Sequence, residues 1–163
     1  MAEELTITRG FAPGAIGRVV EIHGRYYANE WGFGSQFETE VATELADFIN
    51  RYDLAKDGFW LAWRGDRITA SLTLDHAGDD GMARVCWFGA EPEMQGSGVG
   101  GKLFDQLLAF ARETGQNAAY LWTFKGLTAA RKLYDRADFV VSEECEENDW
   151  GPVITAQRVI VRL

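Results

Sequence analysis

No apolar run in this chain approaches the length of a membrane span, and Met1-Ala2-Glu3-Glu4-Leu5 has neither a basic region nor an apolar signal core. The expectation is therefore a soluble, unexported protein. Cysteine is scarce: Cys86 and Cys145 stand far apart and match no metal-ligand spacing, which suits a reducing cytoplasm and predicts no metal site. Positive charge is short too, with 16 Lys and Arg against 25 Asp and Glu and a formal net charge of −9. Such a balance argues against a nucleic-acid partner, which needs an excess of cations on one face, and weakly favours a cationic small acceptor. Internal repeats and low-complexity tracts are missing. Core-forming residues are not: 47% hydrophobic and 13% aromatic content over 163 residues is ample for a single domain spanning 1–163.

Hydrophobic spacing predicts mixed elements. Ile16, Val19, Val20, His23, Tyr26 and Tyr27 form a helical stripe from about Gly14, broken by Trp31-Gly32-Phe33-Gly34. Ser35-x-x-Glu38 reads as a capping box, and Phe37, Val41, Leu45, Phe48 and Ile49 carry a second helix to about Asn50. Phe59 to Trp63 and Ile68 to Leu74, joined by Arg64-Gly65-Asp66-Arg67, predict a hairpin. A strand from Met82 to Ala90, a helix from Lys102 to Thr114, a strand from Ala118 to Phe124 and a helix bearing Tyr134 follow. Within an acidic stretch from Glu143 to Asp149, the run Glu143-Glu144-Cys145-Glu146-Glu147 has no metal-loop spacing and reads as a solvated turn, with the framing of a cationic acceptor as the lesser alternative, before a last strand from Val153 to Leu163. Trp60, Trp63, Trp87 and Phe88 fall on strands and read as packing residues.

Between the fourth predicted strand and its helix lies Gln95-Gly96-Ser97-Gly98-Val99-Gly100-Gly101-Lys102, a turn built to hold a phosphate. Glycine lets backbone approach a ligand, and a helix start supplies unpaired N–H groups and the positive dipole end. Written Gly96-x-Gly98-x-x-Gly101, the segment is a dinucleotide fingerprint, but the acidic residue expected about 20 positions on is replaced by Tyr120-Leu121-Trp122-Thr123-Phe124. Written Gly96-x-x-x-x-Gly101-Lys102, it is a P-loop whose next residue, Leu103, has no hydroxyl for magnesium. The form Gln95-x-x-Gly98-x-Gly100 fits without exception and needs neither metal nor acidic partner. A glycine turn with no ligand is the remaining alternative.

That last form resembles the acyl-CoA-binding signature of the GNAT superfamily of N-acetyltransferases. Leu127 to Phe139, with Tyr134 and the closing aromatic, resembles the superfamily's second CoA-side helix. The segments His23 to Ala28, Phe37-Glu38, Leu121-Trp122-Thr123, Ala129-Ala130-Arg131 and Asp149-Trp150-Gly151 resemble the acetyltransferase module often fused behind winged-helix (MarR-type) regulators. No winged-helix half is present, so DNA binding is not implied. Two positions depart from the pattern: Leu127 replaces a frequent Asn, and Asp138 replaces the Gly of a usual Gly-Phe ending, although Asp tolerates the left-handed C-cap conformation.

The resemblance implies an α+β (α/β-like) GNAT fold: a central mixed sheet of six to seven strands, its parallel central strands splayed, flanked by about four helices. The order strand, loop, helix, strand independently requires a right-handed crossover and hence parallel neighbours. It also implies acetyl-CoA as co-substrate, with Gln95 to Lys102 and Arg131 on the CoA side and Phe88, Gly89 and Ala90 along the pantetheine. The activity implied is direct transfer of acetyl to a primary amine of a small molecule or peptide, through a tetrahedral intermediate. Tyr134 is the implied acid for the leaving thiolate. His23, Tyr27, Trp31 and Glu38 are expected on the acceptor side, and His23, Glu30, Glu38, Asp75 and His76 are the candidate bases. Each has a plainer reading: His23 as a satisfied core residue, Glu38 as a cap, Asp75 and His76 as a solvated strand end. A non-catalytic acyl-CoA-binding sensor is the alternative function. Enzymes of this type often form homodimers, and the sequence leaves the oligomeric state open.

Overall fold

The computed structural model describes residues 3–163. One seven-stranded sheet, ordered β1-β2-β3-β4-β5-β7-β6, runs through the molecule. Its strands are β1 (Leu5–Arg9), β2 (Gly58–Arg64), β3 (Arg67–Asp75), β4 (Ala83–Ala90), β5 (Ala118–Phe124), β6 (Val140–Glu147) and β7 (Ile154–Arg162). Four helices flank it: α1 (Ala15–Trp31), α2 (Ser35–Asn50), α3 (Val99–Glu113) and α4 (Thr128–Arg136). Among the described residues no helix is long and apolar enough to cross a membrane.

The run Phe59-Trp60-Leu61-Ala62 is continuously apolar because both faces of β2 are covered. Phe59 and Leu61 pack with Val19, Leu45 and Phe48 of α1 and α2, while Trp60 and Ala62 pack with Leu103 and Leu107 of α3 on the other face. Gly65-Asp66 supplies the expected two-residue turn between β2 and β3.

All neighbours are antiparallel except β4 and β5, as the crossover required. Those two strands pair only at Ala83↔Ala119 and Arg84↔Tyr120 and then separate. An extra residue in β4 drives the separation: Ser71 pairs Gly89 and Thr73 pairs Cys86, so β4 spends three steps where β3 spends two. Trp87, within this bulge, has φ 50, and its carbonyl accepts from Ser71 Oγ at 2.8 Å. Beyond the bulge, Glu91 is buried and accepts from Arg67 Nε at 3.0 Å, which pins the strand end where the glycine loop begins.

Three sequence expectations are corrected. Ser35 does not cap α2: Gly34 is the N-cap residue, with no side-chain cap bond, because its N–H is drawn to the Trp150 carbonyl at 3.0 Å. The acidic run is not a turn but the edge strand β6, held to β7 from Val140↔Ile160 to Glu147↔Ile154. A first strand that the apolar spacing did not predict, β1, lies on the opposite edge against β2.

Candidate functional site

Two cavities meet at the gap between β4 and β5, of about 610 Å³ and about 350 Å³. His23, Tyr27, Phe88, Leu127 and Tyr134 line both, so these side chains form the junction.

The glycine loop forms the mouth of the larger cavity. Gly96 and Gly98 have φ of 79° and 83°, in the left-handed region, and a Cβ at either, or at Gly101, would meet nothing within 4 Å. Gly98 is the N-cap of α3, so first-turn amides that have no intrahelical partner line open space at the positive end of the helix. Gly100 answers a different need: a Cβ there would approach Leu133 Cδ1 at 2.7 Å and Phe88 Cζ at 3.0 Å, so a larger residue would have to displace the side chains by which α4 and β4 pack on α3. Gln95, Val99, Gly89 and Ala90 also line this cavity.

Three expected CoA-side residues stand outside the lining. Ser97 braces the loop, its hydroxyl donating to the Met94 carbonyl at 2.5 Å and accepting from the Val99 N–H at 3.3 Å. Lys102 is exposed on the first turns of α3. Arg131 turns to the sheet and donates to Gln157 Oε1 of β7. The cation that does line the cavity is Arg136, which was not singled out from the sequence. The signal was available: Ala129, Leu133 and Arg136 follow one another along one helical face.

At the junction, His23 is 5% exposed. Its Nδ1 lies 2.8 Å from the Val19 carbonyl. A carbonyl only accepts, so Nδ1 carries the hydrogen in the neutral ring and Nε2 keeps a bare lone pair. Nε2 is buried without a hydrogen-bond partner. Burial holds the His23 pKa below its ordinary 6.5, opposed in part by the Val19 and Phe88 backbone, of which Phe88 lies near without forming a well-directed bond. Gly89 makes room for the ring, since a Cβ there would stand 2.7 Å from His23 Cε1.

One helical turn on, Tyr27 stacks parallel to Phe33 at 5.6 Å and 8°. Tyr134 is 5% exposed. Burial raises its pKa well above the ordinary phenol value, with a Thr123 hydrogen bond and the Arg131 charge pulling the other way, so the phenol holds its proton. The end of α4 fixes its position: Asp138 adopts φ 68, its N–H donates to the Asp135 carbonyl, and the Phe139 N–H donates to the Tyr134 carbonyl at 3.0 Å. This is a Schellman ending, closed by the Phe139 ring against Tyr134 at 6.1 Å. Asp138 thus performs the capping expected of it.

The smaller cavity has aromatic walls and acidic residues. Phe37 and Trp150 stack at 5.0 Å, and Glu40, Glu44 and Glu147 join the lining. Trp87, expected only to pack, does pack on Phe48 at 5.6 Å but also lines this cavity. So does Cys86, whose thiol burial pushes up to about 12, against the pull of Arg84 and Thr73. Trp60 is buried in the core as expected, and Trp63 donates from Nε1 to Thr8 Oγ1 at 2.8 Å.

Trp31 and Glu38 line neither cavity. Trp31 packs edge-on to Phe124 at 4.8 Å. Glu38 is exposed and its carboxylate rests against α1, where a Cβ on Gly24 would collide with it. Glu30, Asp75 and His76 are outside both linings as well. Asp57, Asp75 and His76 bring ligand atoms within 4.8 Å of one another, but their oxygens already face N–H donors. Asp57 takes the His76 Nδ1 at 2.6 Å and the Asp53 N–H at 2.8 Å, and Asp75 takes Arg51 at 2.9 and 2.5 Å. Such a set locks a strand end.

Residues 18–139 match the model of the acetyltransferase (GNAT) family. A stretch of 87 residues is 38% identical to the mycothiol acetyltransferase of Geodermatophilus obscurus, covering 50% of this chain and only 28% of that relative. Among solved structures, YncA of Salmonella typhimurium, determined with its cofactor acetyl-CoA, superposes with a TM-score of 0.74 at 19% identity over 96% of this chain and 94% of that one. An acetyltransferase from Streptococcus agalactiae gives 0.74 at 18% identity over 98% of both. At such identities the structural likeness shows the fold, and the family match covers most of the chain. The splayed parallel pair, the glycine loop after β4 and the matched residues together show that the chain belongs to the acetyltransferase (GNAT) family.

Proposed function

We propose that this protein transfers an acetyl group from acetyl-CoA directly to the amine of a small molecule. The observation that carries this reading is the junction itself: one cavity opens to a phosphate-sized glycine cradle, the other to an acidic aromatic chamber, and Tyr134 and His23 line both. The cradle fits a pyrophosphate, since left-handed glycines leave its floor clear at the start of α3 and Arg136 adds charge. Acetyl-CoA would supply an activated thioester there.

The chain's own groups divide the remaining work. Tyr134, kept protonated by burial, holds a proton for the departing thiolate. His23 is the base we select among the sequence candidates, because it alone of them lines the junction and its Nε2 is bare. Cys86, the cysteine of the acceptor cavity, is held as a neutral thiol and is a poor nucleophile, which favours direct transfer over an acyl-cysteine route. The narrower kinship with modules fused to winged-helix regulators rests on the resembling segments and stays part of this proposal. Free Cys86 and Cys145 and the acidic balance support a cytoplasmic setting without nucleic-acid or membrane partners. Homodimerisation remains compatible with it.

Calorimetric titration of acetyl-CoA into the wild type and Gly98→Glu tests the cradle. Saturable binding lost in a folded variant supports it, and no wild-type binding removes both the enzyme and the sensor. Turnover of any amine then separates enzyme from sensor.

A further inference from the structure

The smaller cavity is chemically different at its two ends. At the junction end, lined by both His23 and Tyr134, the His23 Nε2 is buried and unpartnered. Away from that junction, Glu40 and Glu44 come from successive turns of α2, and Glu147 comes from the last position of β6. Three carboxylates meet one lining guanidinium, Arg84, which is 3.5 Å from Glu44. Glu40 is oriented by the Trp150 indole, whose N–H donates to it at 2.5 Å. That bond does not neutralise it. Tyr27 of the junction packs on Phe37 at 5.0 Å and Phe124 at 5.9 Å, and Phe37 packs on Trp150, so aromatic rings lead from the junction to Glu40.

An unbalanced negative lining beside aromatic faces selects cations, through charge-assisted hydrogen bonds and cation–π contact. The nitrogen that attacks a thioester must be uncharged, however, so it cannot be the cation the carboxylates hold. One acceptor satisfies both ends: a molecule with a neutral amine at His23 and a second amine held in its protonated, ammonium form by the carboxylates, joined by an apolar segment. Resting on the acetyl-transfer reading above, we infer that the acceptor is a small diamine, with Glu40, Glu44 and Glu147 holding the ammonium that is not acetylated. A volume of about 350 Å³ suits a molecule of that size.

In the step itself, the neutral nitrogen adds to the thioester carbonyl and its proton passes to His23 Nε2; the tetrahedral adduct then collapses by breaking the C–S bond, the leaving thiolate takes the Tyr134 proton, and solvent returns a proton to the Tyr134 phenolate as His23 sheds one. Putrescine against n-butylamine, and cadaverine against n-pentylamine, compare equal chain lengths with and without the second charge. Diamine kcat/KM should exceed that of the matched monoamine by about tenfold or more, the value of one hydrogen-bonded charge. In Glu147→Gln and Glu40→Gln the diamine-to-monoamine ratio should collapse towards unity while acetyl-CoA binding by calorimetry is retained. Equal rates for the paired amines, no turnover of either by acetyl-CoA-bound protein, or an unchanged ratio in both variants would overturn the inference. Loss of acetyl-CoA binding in the wild type would instead overturn the reading beneath it.

Discussion

His23 and Tyr134 carry opposite proton states into one junction, and burial sets both. Tyr134→Phe keeps the packing against Phe104 and Phe139 but removes the proton. Its kcat should fall about 10²-fold, with acetyl-CoA affinity little changed by calorimetry. For His23 the direction of the shift gives a pH signature. Both the amine and His23 must be deprotonated, so log kcat/KM should climb more steeply below the lowered His23 pKa than above it, and His23→Gln should lose that steep limb. The same burial acts on stability: the unfolded chain takes up the proton first, so wild-type stability declines as pH falls below the ordinary 6.5 towards the lowered folded value, and the variant is spared this loss. Tyr134 was singled out by the family resemblance against its spacing, which reads as plain packing, and the structure has it line the junction of both cavities. Arg131 shows where motif reading stops: its neighbours in sequence match the family, yet Gln157, 26 positions away, captures its guanidinium.

Helix ends and strand edges were read unevenly, for physical reasons. The hairpin at Gly65-Asp66 and the α4 ending at Asp138 are local, decided by backbone sterics, and local sequence reports them. Asp138 holds φ 68 at a strained position, so Asp138→Gly should raise the denaturant midpoint by about 0.5–1 kcal/mol of stability, and Asp138→Val should lower it by about 1–2 kcal/mol. The start of α2 is not local. Ser35-x-x-Glu38 has the right residues for a cap, but Trp150, more than a hundred positions on, takes the Gly34 N–H and decides the entry. β6 escaped because its glutamates disfavour strands and it is exposed along most of its length, with no buried alternation to betray it. β1 is short and only Leu5 and Ile7 turn inward.

The sheet order is the least local property and the one the site depends on most. The order strand, loop, helix, strand indicated a parallel pair around the glycine loop, but nothing in either segment states that β7 lies between β5 and β6. That placement carries Glu147 and Trp150 to the smaller cavity, which is why this wall was visible only as isolated resembling residues. The bulge at Trp87 likewise arises from how β4 meets β3. Its outcome is a sheet joined at its centre by two residue pairs, with strand backbone beyond them that no neighbouring strand completes. Among Phe88 to Ala90, the amides that face the β5 side, rather than those bonded to β3, should therefore exchange fast in the free protein and slow by about tenfold or more when saturating acetyl-CoA is added, whereas amides of the fully paired β2 stay unchanged. A ligand lying in that gap would act as a missing strand, so how firmly the two halves of the sheet are coupled would report how full the gap is.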